Sequence, residues 1–177
     1  ALQRVNDLLH DHGYSDFQDS TKHVHSQHWV AFAALVDHNP RRILEIGTYT
    51  AHTTAFLSNI FPSAEITTID LPDNSPTFCS SYLRESDDAR AGFIQQRNLT
   101  LRQLHNVRFL QINSALLPAM KLDKFDIIWM DGGHDYPDVA WDLCNCLHLL
   151  SPDGILLCDD IYTQDKIPEN ATKDAFH

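Results

Sequence analysis

The sequence is poor in basic residues. Its 177 residues include 13 lysines and arginines against 24 aspartates and glutamates, which gives a formal net charge of −11. Proteins that bind nucleic acid place clustered basic side chains against the phosphate backbone. The charge balance therefore argues against RNA or DNA as a partner, and we expect a small-molecule ligand instead.

Cysteines and long apolar runs are also scarce. The four cysteines lack the regular spacing of a disulfide framework. The sequence has no run of eighteen apolar residues, so we expect neither a membrane-spanning helix nor a membrane partner. A chain of this length can bury a core without metal or disulfide crosslinks. Reduced thiols and a cytoplasmic location are the expectation.

Glycine is scarce where a dinucleotide site would need it. The stretch RRILEIGTYTAHTTAFLSNIFPSAEITTID, residues 41–70, predicts a strand, a tight turn, a helix and a second strand that ends at Asp70. Its turn contains one glycine, Gly47, instead of the G-x-G-x-x-G spacing, so a nicotinamide oxidoreductase is the least favoured function. A single glycine still lets a ligand approach the backbone, and Asp70 suits ribose hydroxyls.

The rest of the chain alternates between predicted helices and strands. This alternation predicts a Rossmann-like α/β fold, with three layers and a mostly parallel sheet. We expect N-terminal helices in residues 1–40 to pack on or cover a ligand-binding domain in residues 41–177, so that both form one domain. The predicted elements after the first two strands are a loop over 71–92, a helix up to Leu104, strands at Val107–Ile112, Phe125–Met130 and Ile155–Cys158, and a helix opened by Pro137.

Acidic residues follow the predicted strands. Asp70, Asp131 and the pair Asp159 and Asp160 come at strand ends, and ligands of open α/β sheets bind outside those ends. Carboxylates are the ligands that Mg²⁺ or Ca²⁺ prefers, and a metal-held hydroxyl loses its proton more readily. His134 is a candidate general base, because histidine exchanges protons near neutral pH.

The turn EIGTYTA resembles motif I, E-I-G-T-Y-T-G, of class I methyltransferases that use S-adenosylmethionine (SAM), in particular small-molecule O-methyltransferases. Ala51 replaces the last glycine of that pattern. The resemblance implies a SAM site in which the turn lines the methionine part, the acid after the second strand holds the ribose, and the segment after the third strand contacts the adenine. The implied cofactor-binding residues are Glu45, Gly47, Thr48, Tyr49, Thr50, Asp70, Ser114, Ala115 and Asp131, and Asn113 is a further candidate beside the adenine.

A second stretch, FDIIWMDGGHDYPDVAWDLCNCLHLLSPDGILLCDDI, is similar to metal-dependent O-methyltransferases, including those that act on sugar hydroxyls of macrolide antibiotics. In that family an acid after strand four and an acidic pair after strand five ligate magnesium. The resemblance implies that Asp131, Asp159 and Asp160 hold Mg²⁺ and that Asp131 and His134 are catalytic. The implied activity is SAM-dependent methylation of a hydroxyl on a small molecule.

Other interpretations stay open at this point. Strand-end acids often cap the next helix or loop, and His134 could simply position a ligand. The resembled fold has seven strands, and five are readable here, so the chain could be a fragment or a non-catalytic SAM-fold module for binding or assembly. Tyr162 fits either an acceptor pocket or the surface. The fifth strand would form an exposed sheet edge that a second subunit could cover, so we expect a homodimer.

Overall fold

The computed structural model describes residues 2–11, 13, 26–81 and 83–159. Asp160, Tyr162 and the remainder of the C-terminal tail lie outside the described residues. The helices are α1 (Leu2–Asp11), α2 (Ser26–Ala34), α3 (His52–Ile60), α4 (Pro76–Ser80), α5 (Asp87–Leu101) and α6 (Asp138–Leu149). The strands are β1 (Arg42–Ile46), β2 (Glu65–Asp70), β3 (Val107–Gln111), β4 (Phe125–Met130) and β5 (Leu150–Cys158).

The strands form a five-stranded sheet in the order β3-β2-β1-β4-β5. All four neighbouring pairs are parallel, which confirms the predicted parallel α/β sheet. The chain builds β2 and β3 on one side of β1 and then crosses to build β4 and β5 on the other. The order of the strands therefore reverses beside β1, and such switch points are where open α/β sheets bind ligands.

Helices cover both faces of the sheet because the central strands are apolar on both faces. On one face, Ile43 and Trp129 pack with Phe32 of α2 and Phe56 of α3. On the other face, a second cluster joins the sheet to α6 through Leu44, Ile46, Ile128, Met130, Val139, Cys146 and Leu149. The result is the predicted three-layer arrangement, with Trp129 in the core at 2% exposure.

The segment predicted as a loop over 71–92 contains more helix than expected. α4 begins after Ser75, whose hydroxyl accepts a hydrogen bond from the Phe78 N–H at 3.2 Å. α5 begins after Ser86, whose hydroxyl accepts from the Ala89 N–H at 3.2 Å. Both serines are helix N-caps, which satisfy amide groups that the first helical turn leaves unpaired. The prediction was wrong here because it read these serines as loop residues.

The fifth strand also starts earlier than predicted. Leu150 already pairs with Phe125, and an irregularity then shifts the register before Ile155 pairs with Ile127. The prediction that the strand begins at Ile155 was wrong because Ser151 to Gly154 looked like a helix stop. In the described part of the chain, β5 is an edge of the sheet. No helix there has the length and hydropathy of a membrane span.

Candidate active site

One row of residues at the carboxyl ends of the strands forms the floor of the site. Ile46 of β1 is paired with Ile69 of β2 and with Met130 of β4, and Met130 is paired with Cys158 of β5. The residue after each of these four continues at the same level. The row therefore consists of Gly47, Asp70, Asp131 and Asp159.

The acids in this row fall into two groups. Neighbouring strands lie about 4.8 Å apart, so the backbones of Asp131 and Asp159 are adjacent. The Asp131 N–H donates to the carbonyl of Ile46 at 2.8 Å, and the Asp159 N–H donates to that of Met130 at 3.0 Å. β1 lies between Asp70 and Asp131, which separates them by about two strand spacings, roughly 10 Å. Asp70 can thus serve a different part of a ligand from the other two acids.

Gly47 brings the turn after β1 into contact with the end of β4. Its φ of +97° lies in a region that favours glycine. A Cβ on Gly47 would lie 1.9 Å from the carbonyl oxygen of Asp131 and 2.6 Å from its carbon. The site therefore has no room for a side chain at this position.

The other turn residues differ in exposure. Thr48 is buried, Thr50 is partly buried and Tyr49 is 40% exposed. The Tyr49 ring packs edge-on against Phe93, with ring centroids 5.1 Å apart. Ala51, before α3, has a left-handed φ of +65°, so alanine keeps the backbone conformation for which the resembled motif uses glycine.

Glu45 of β1 is fully buried, and its side chain contacts β2 and α3. Its Oε2 accepts hydrogen bonds from the hydroxyls of Thr54 at 2.5 Å and Thr68 at 2.6 Å. Since the Thr68 hydrogen points to Glu45, the Thr48 hydroxyl donates to Thr68 across their 2.7 Å contact. The three threonines connect the glutamate to the turn, the second strand and the first helix of the site. Whether Glu45 lines the methionine part of SAM stays a prediction.

Burial raises the pKa of Glu45 to about 7, although the bonds from Thr54 and Thr68 oppose the shift. Asp70 adds to the increase by charge repulsion. The second oxygen, Oε1, is buried and has no hydrogen-bond partner among the residues that the structure describes. A buried carboxylate with one unsatisfied oxygen favours positive charge nearby, either a proton or a cationic ligand group.

Asp70 is held in place by two backbone amides. Oδ2 accepts from the Tyr49 N–H at 3.0 Å and Oδ1 from the Leu71 N–H at 2.7 Å. Burial raises the pKa of Asp70, and these two bonds lower it, as do the positive charges of Arg84 and Arg97. Each carboxylate oxygen can accept a further hydrogen bond, so the group retains capacity for ligand hydroxyls.

The segment predicted to contact adenine begins a short 3-10 turn after β3. The Asn113 side chain accepts from the Ala115 N–H at 2.8 Å. Ser114 is partly buried and Ala115 is exposed. On the opposite side, the Asn145 amide of α6 donates to the Ser114 carbonyl at 3.0 Å. This segment is therefore fixed to α6 as well as to the sheet.

Asp142 of α6 is a buried acid that the sequence analysis missed. It is 2% exposed, and burial raises its pKa to about 6, while a hydrogen bond with the Ser114 side chain lowers it and the nearby Asp138 raises it. Its Oδ2 lies 2.8 Å from where a Cβ on Gly132 would be. Asp142 thus contacts both the Ser114 segment and the residue after Asp131, which makes it part of the frame of the site.

The predicted metal ligands are only partly within the described chain. Asp131 and Asp159 end adjacent strands, and both are partly buried. Asp160 lies outside the described residues, and within them no group of three or more His, Cys, Asp or Glu side chains could hold a metal ion. His134 is partly buried in the loop between β4 and α6. The metal site and the role of His134 therefore stay predictions.

Two further sets of residues at the site were not predicted from the sequence. The sequence does indicate that partners such as Thr54 and Thr68 must exist, because the glutamate inside the strand RILEI needs buried hydrogen-bond donors. Arg84 lies among aromatic rings beside Tyr49 and Asp70. No spacing in the sequence indicates that contact, because Arg84 lies in an irregular connection between two helices.

A family model for a methyltransferase domain matches residues 44–161. No curated protein matches the chain in sequence. The match covers the glycine turn, Asp70, Asp142 and all three predicted metal ligands.

Solved structures of methyltransferases share the fold. PaMTH1 from Podospora anserina, with SAH bound, is 21% identical at a TM-score of 0.55, covering 86% of this chain and 62% of its own. TomG from Streptomyces achromogenes, an O-methyltransferase of tomaymycin synthesis in complex with SAM, is 18% identical with a TM-score of 0.55. The match covers 89% of this chain and 63% of TomG. A precorrin-6y C5,15-methyltransferase from Geobacter metallireducens is 17% identical with a TM-score of 0.51. The match covers 82% of this chain and 68% of that enzyme. The chain thus spans less than two thirds of the length of the first two.

The contact between Gly47 and Asp131 can be tested by adding one methyl group. Gly47→Ala should lower the free energy of unfolding by about 3 kcal/mol or more, because the methyl group would overlap the Asp131 carbonyl and φ is positive. Urea unfolding measures this change.

Gly92→Ala is the matched control, since Gly92 lies in α5 with nothing within 4 Å of an added Cβ. The control should gain about 0.5–1 kcal/mol. A Gly47→Ala protein as stable as the wild type would contradict the close contact.

The buried Glu45 predicts a pH-dependent stability. Its pKa is about 7 in the folded protein and 4.5 in the reference state, so the folded protein binds the proton more tightly. The free energy of unfolding should therefore fall as pH rises from 4.5 to 7, by up to about 3 kcal/mol from this group.

In Glu45→Gln, whose side chain cannot ionise, the free energy of unfolding should fall less with pH, by the amount that Glu45 contributes in the wild type. Urea unfolding of both proteins at pH 5 and pH 8 measures the difference, and the contribution of Asp142, which remains in both proteins, cancels. Identical declines would rule out Glu45 as the source.

Proposed function

Since this chain belongs to the methyltransferase domain family, we propose that it binds SAM and transfers its methyl group to a hydroxyl of a small molecule. The observation that carries the proposal is the row at the carboxyl edge. It puts the glycine turn between a ribose-type acid, Asp70, and a pair of acids, Asp131 and Asp159.

The residues of the site fit the chemical groups of SAM. Asp70 has acceptor capacity for the two ribose hydroxyls, and the Tyr49 N–H fixes its orientation. Gly47 lets the turn pass directly against the Asp131 backbone, so a ligand bound over the turn would also lie beside the end of β4. When ionised, the buried carboxyl group of Glu45 favours a cationic group over the turn. SAM, when bound, supplies a methyl group on a positively charged sulfur. Ser114 and Ala115 would border the adenine.

We propose that a divalent cation, Mg²⁺, binds Asp131, Asp159 and Asp160. The chemistry of the donors supports this assignment, because the first two carboxylates end neighbouring strands and oxygen ligands suit Mg²⁺. When bound, the cation lowers the pKa of a hydroxyl that it coordinates. His134, three residues beyond Asp131 in sequence, would accept the proton that the hydroxyl releases. The solved methyltransferases of this fold include enzymes that methylate oxygen and carbon, so the oxygen acceptor is supported by the acids rather than by the fold.

The cofactor is tested by calorimetry with S-adenosylhomocysteine (SAH). We expect saturable binding to the wild type and an affinity at least about tenfold lower for Asp70→Asn, which loses a charged acceptor for the ribose. Asp123→Asn is the matched control. Asp123 is exposed and paired with Arg42 before β4, at the opposite end of the strands. Binding of NAD instead of SAH by the wild type would overturn the proposal.

The reaction is tested with radiolabelled SAM and a panel of sugars and phenols. Chelation of divalent ions should abolish transfer and added Mg²⁺ should restore it. Asp159→Asn should prevent the restoration, whereas Asp153→Asn, at an exposed position of the strand that precedes Asp159, should not. His134→Gln should lower kcat by about 100-fold or more with little change in the KM for SAM.

The outcomes of this assay separate the possibilities. Transfer that resists chelation would remove the metal from the proposal and leave the methyltransferase. SAH binding without transfer to any hydroxyl in the panel would favour a module that binds the cofactor without catalysis.

A further inference from the structure

Arg84 lies in a cage of three aromatic rings at the rim of the site. The central carbon of its guanidinium group is 4.5 Å from the ring centroid of Phe78, 4.6 Å from that of Phe93 and 5.8 Å from that of Tyr49. Phe78 and Phe93 are themselves edge-to-face, with centroids 5.9 Å apart. Stacking on several rings fixes the plane of a guanidinium group and removes much of its hydration.

No carboxylate is paired with this cation. Its Nε is buried without a hydrogen-bond partner, and Arg84 forms no salt bridge within the described chain. Arg97, which also contacts Phe78, is different, because its two terminal nitrogens bind the carboxylate of Asp73 at 2.8 and 2.9 Å. The guanidinium group of Arg84 is therefore held in place, and its two terminal nitrogens, which have no hydrogen-bond partner in the described chain, can bind another group.

The cage is attached to the proposed cofactor site. Tyr49, one of its walls, belongs to the turn after β1, and its N–H donates to Asp70. The charge of Arg84 also reaches Asp70, because it lowers the pKa of that acid. A group bound against the turn would lie between the acids of the row and this cation.

We propose, on the basis of the SAM site argued above, that Arg84 binds the α-carboxylate of SAM. That carboxylate is the one anionic group of the cofactor, and the acids around the turn, Glu45, Asp70 and Asp131, would repel it. A cation beside the turn would offset this repulsion, and Arg84 is the cation without a carboxylate partner among the described residues around the turn. A planar guanidinium group also matches a carboxylate in a two-bonded geometry.

Two other roles for Arg84 make different predictions. It could only hold the loop before α5 through its stacking on Phe78 and Phe93, or it could act on the ribose by keeping Asp70 ionised. Either role would affect the adenosine half of the cofactor. 5′-Methylthioadenosine separates these roles from the proposed one, because it retains the adenine, the ribose and the sulfur but lacks the amino-acid part that carries the carboxylate.

The test compares two ligands on two proteins by calorimetry. We expect Arg84→Gln to bind SAH about 10- to 100-fold more weakly than the wild type, as for loss of a charge-assisted bond. It should bind 5′-methylthioadenosine with unchanged affinity, which also shows that the site is folded. Arg102→Gln, the same charge change at the far end of α5, should bind both ligands as the wild type does.

Each of the other outcomes would contradict either the role of Arg84 or the proposed SAM site. An equal loss for both ligands, or no loss for SAH, would overturn the role of Arg84 and leave the SAM site intact. Failure of the wild type to bind SAH would instead overturn the proposed function. Arg84→Lys should recover part of the SAH affinity, because it restores the charge without the planar pair of donors.

Discussion

The site depends on the close contact between Gly47 and the end of β4. The turn after β1 has to cross this point to reach α3, and it does so with the Asp131 carbonyl where a side chain would begin. Any larger residue would push the turn away from the strand and move the row of strand ends out of line. The contact therefore sets the position of Asp131 relative to the turn, and the backbone bond from Tyr49 to Asp70 sets the second strand relative to both.

Two buried carboxyl groups belong to this frame, and their burial has an energetic cost. Glu45 lies on the α3 face of the sheet and Asp142 on the α6 face, and each contacts segments that border the site. A buried acid is tolerated when hydroxyl or amide donors satisfy it, yet each of these groups has an oxygen without a partner in the described chain. Burial raises the pKa of both toward neutrality. The frame is therefore more stable when protons or nearby cations reduce these charges.

Strands were predictable where local sequence and tertiary environment agree. The run Phe125–Met130 is apolar except for Asp126 because both faces of β4 are covered, and its bounds match the prediction. β5 was misread because its first contact, Leu150 with Phe125, is separated from the rest by an irregularity that depends on pairing with a distant strand. The same limit applies to the site. Acids at strand ends follow from strand boundaries, whereas Asp142 and Arg84 lie near the site only because a helix and a loop fold back over the sheet.

The distribution of charge along the carboxyl edge restricts the ligands that fit. Asp70 is separated from Asp131 and Asp159 by the width of β1, so one end of a ligand meets a hydroxyl acceptor while the other meets a pair of acids. Between them lies the turn, with the buried Glu45 beneath it. Without a bound cation, the acids of this edge would repel a dianionic pyrophosphate, which agrees with the missing glycines of a dinucleotide motif. A ligand with hydroxyls at one end and a positive centre over the turn is favoured, provided that a cation such as Arg84 meets any negative group that it carries.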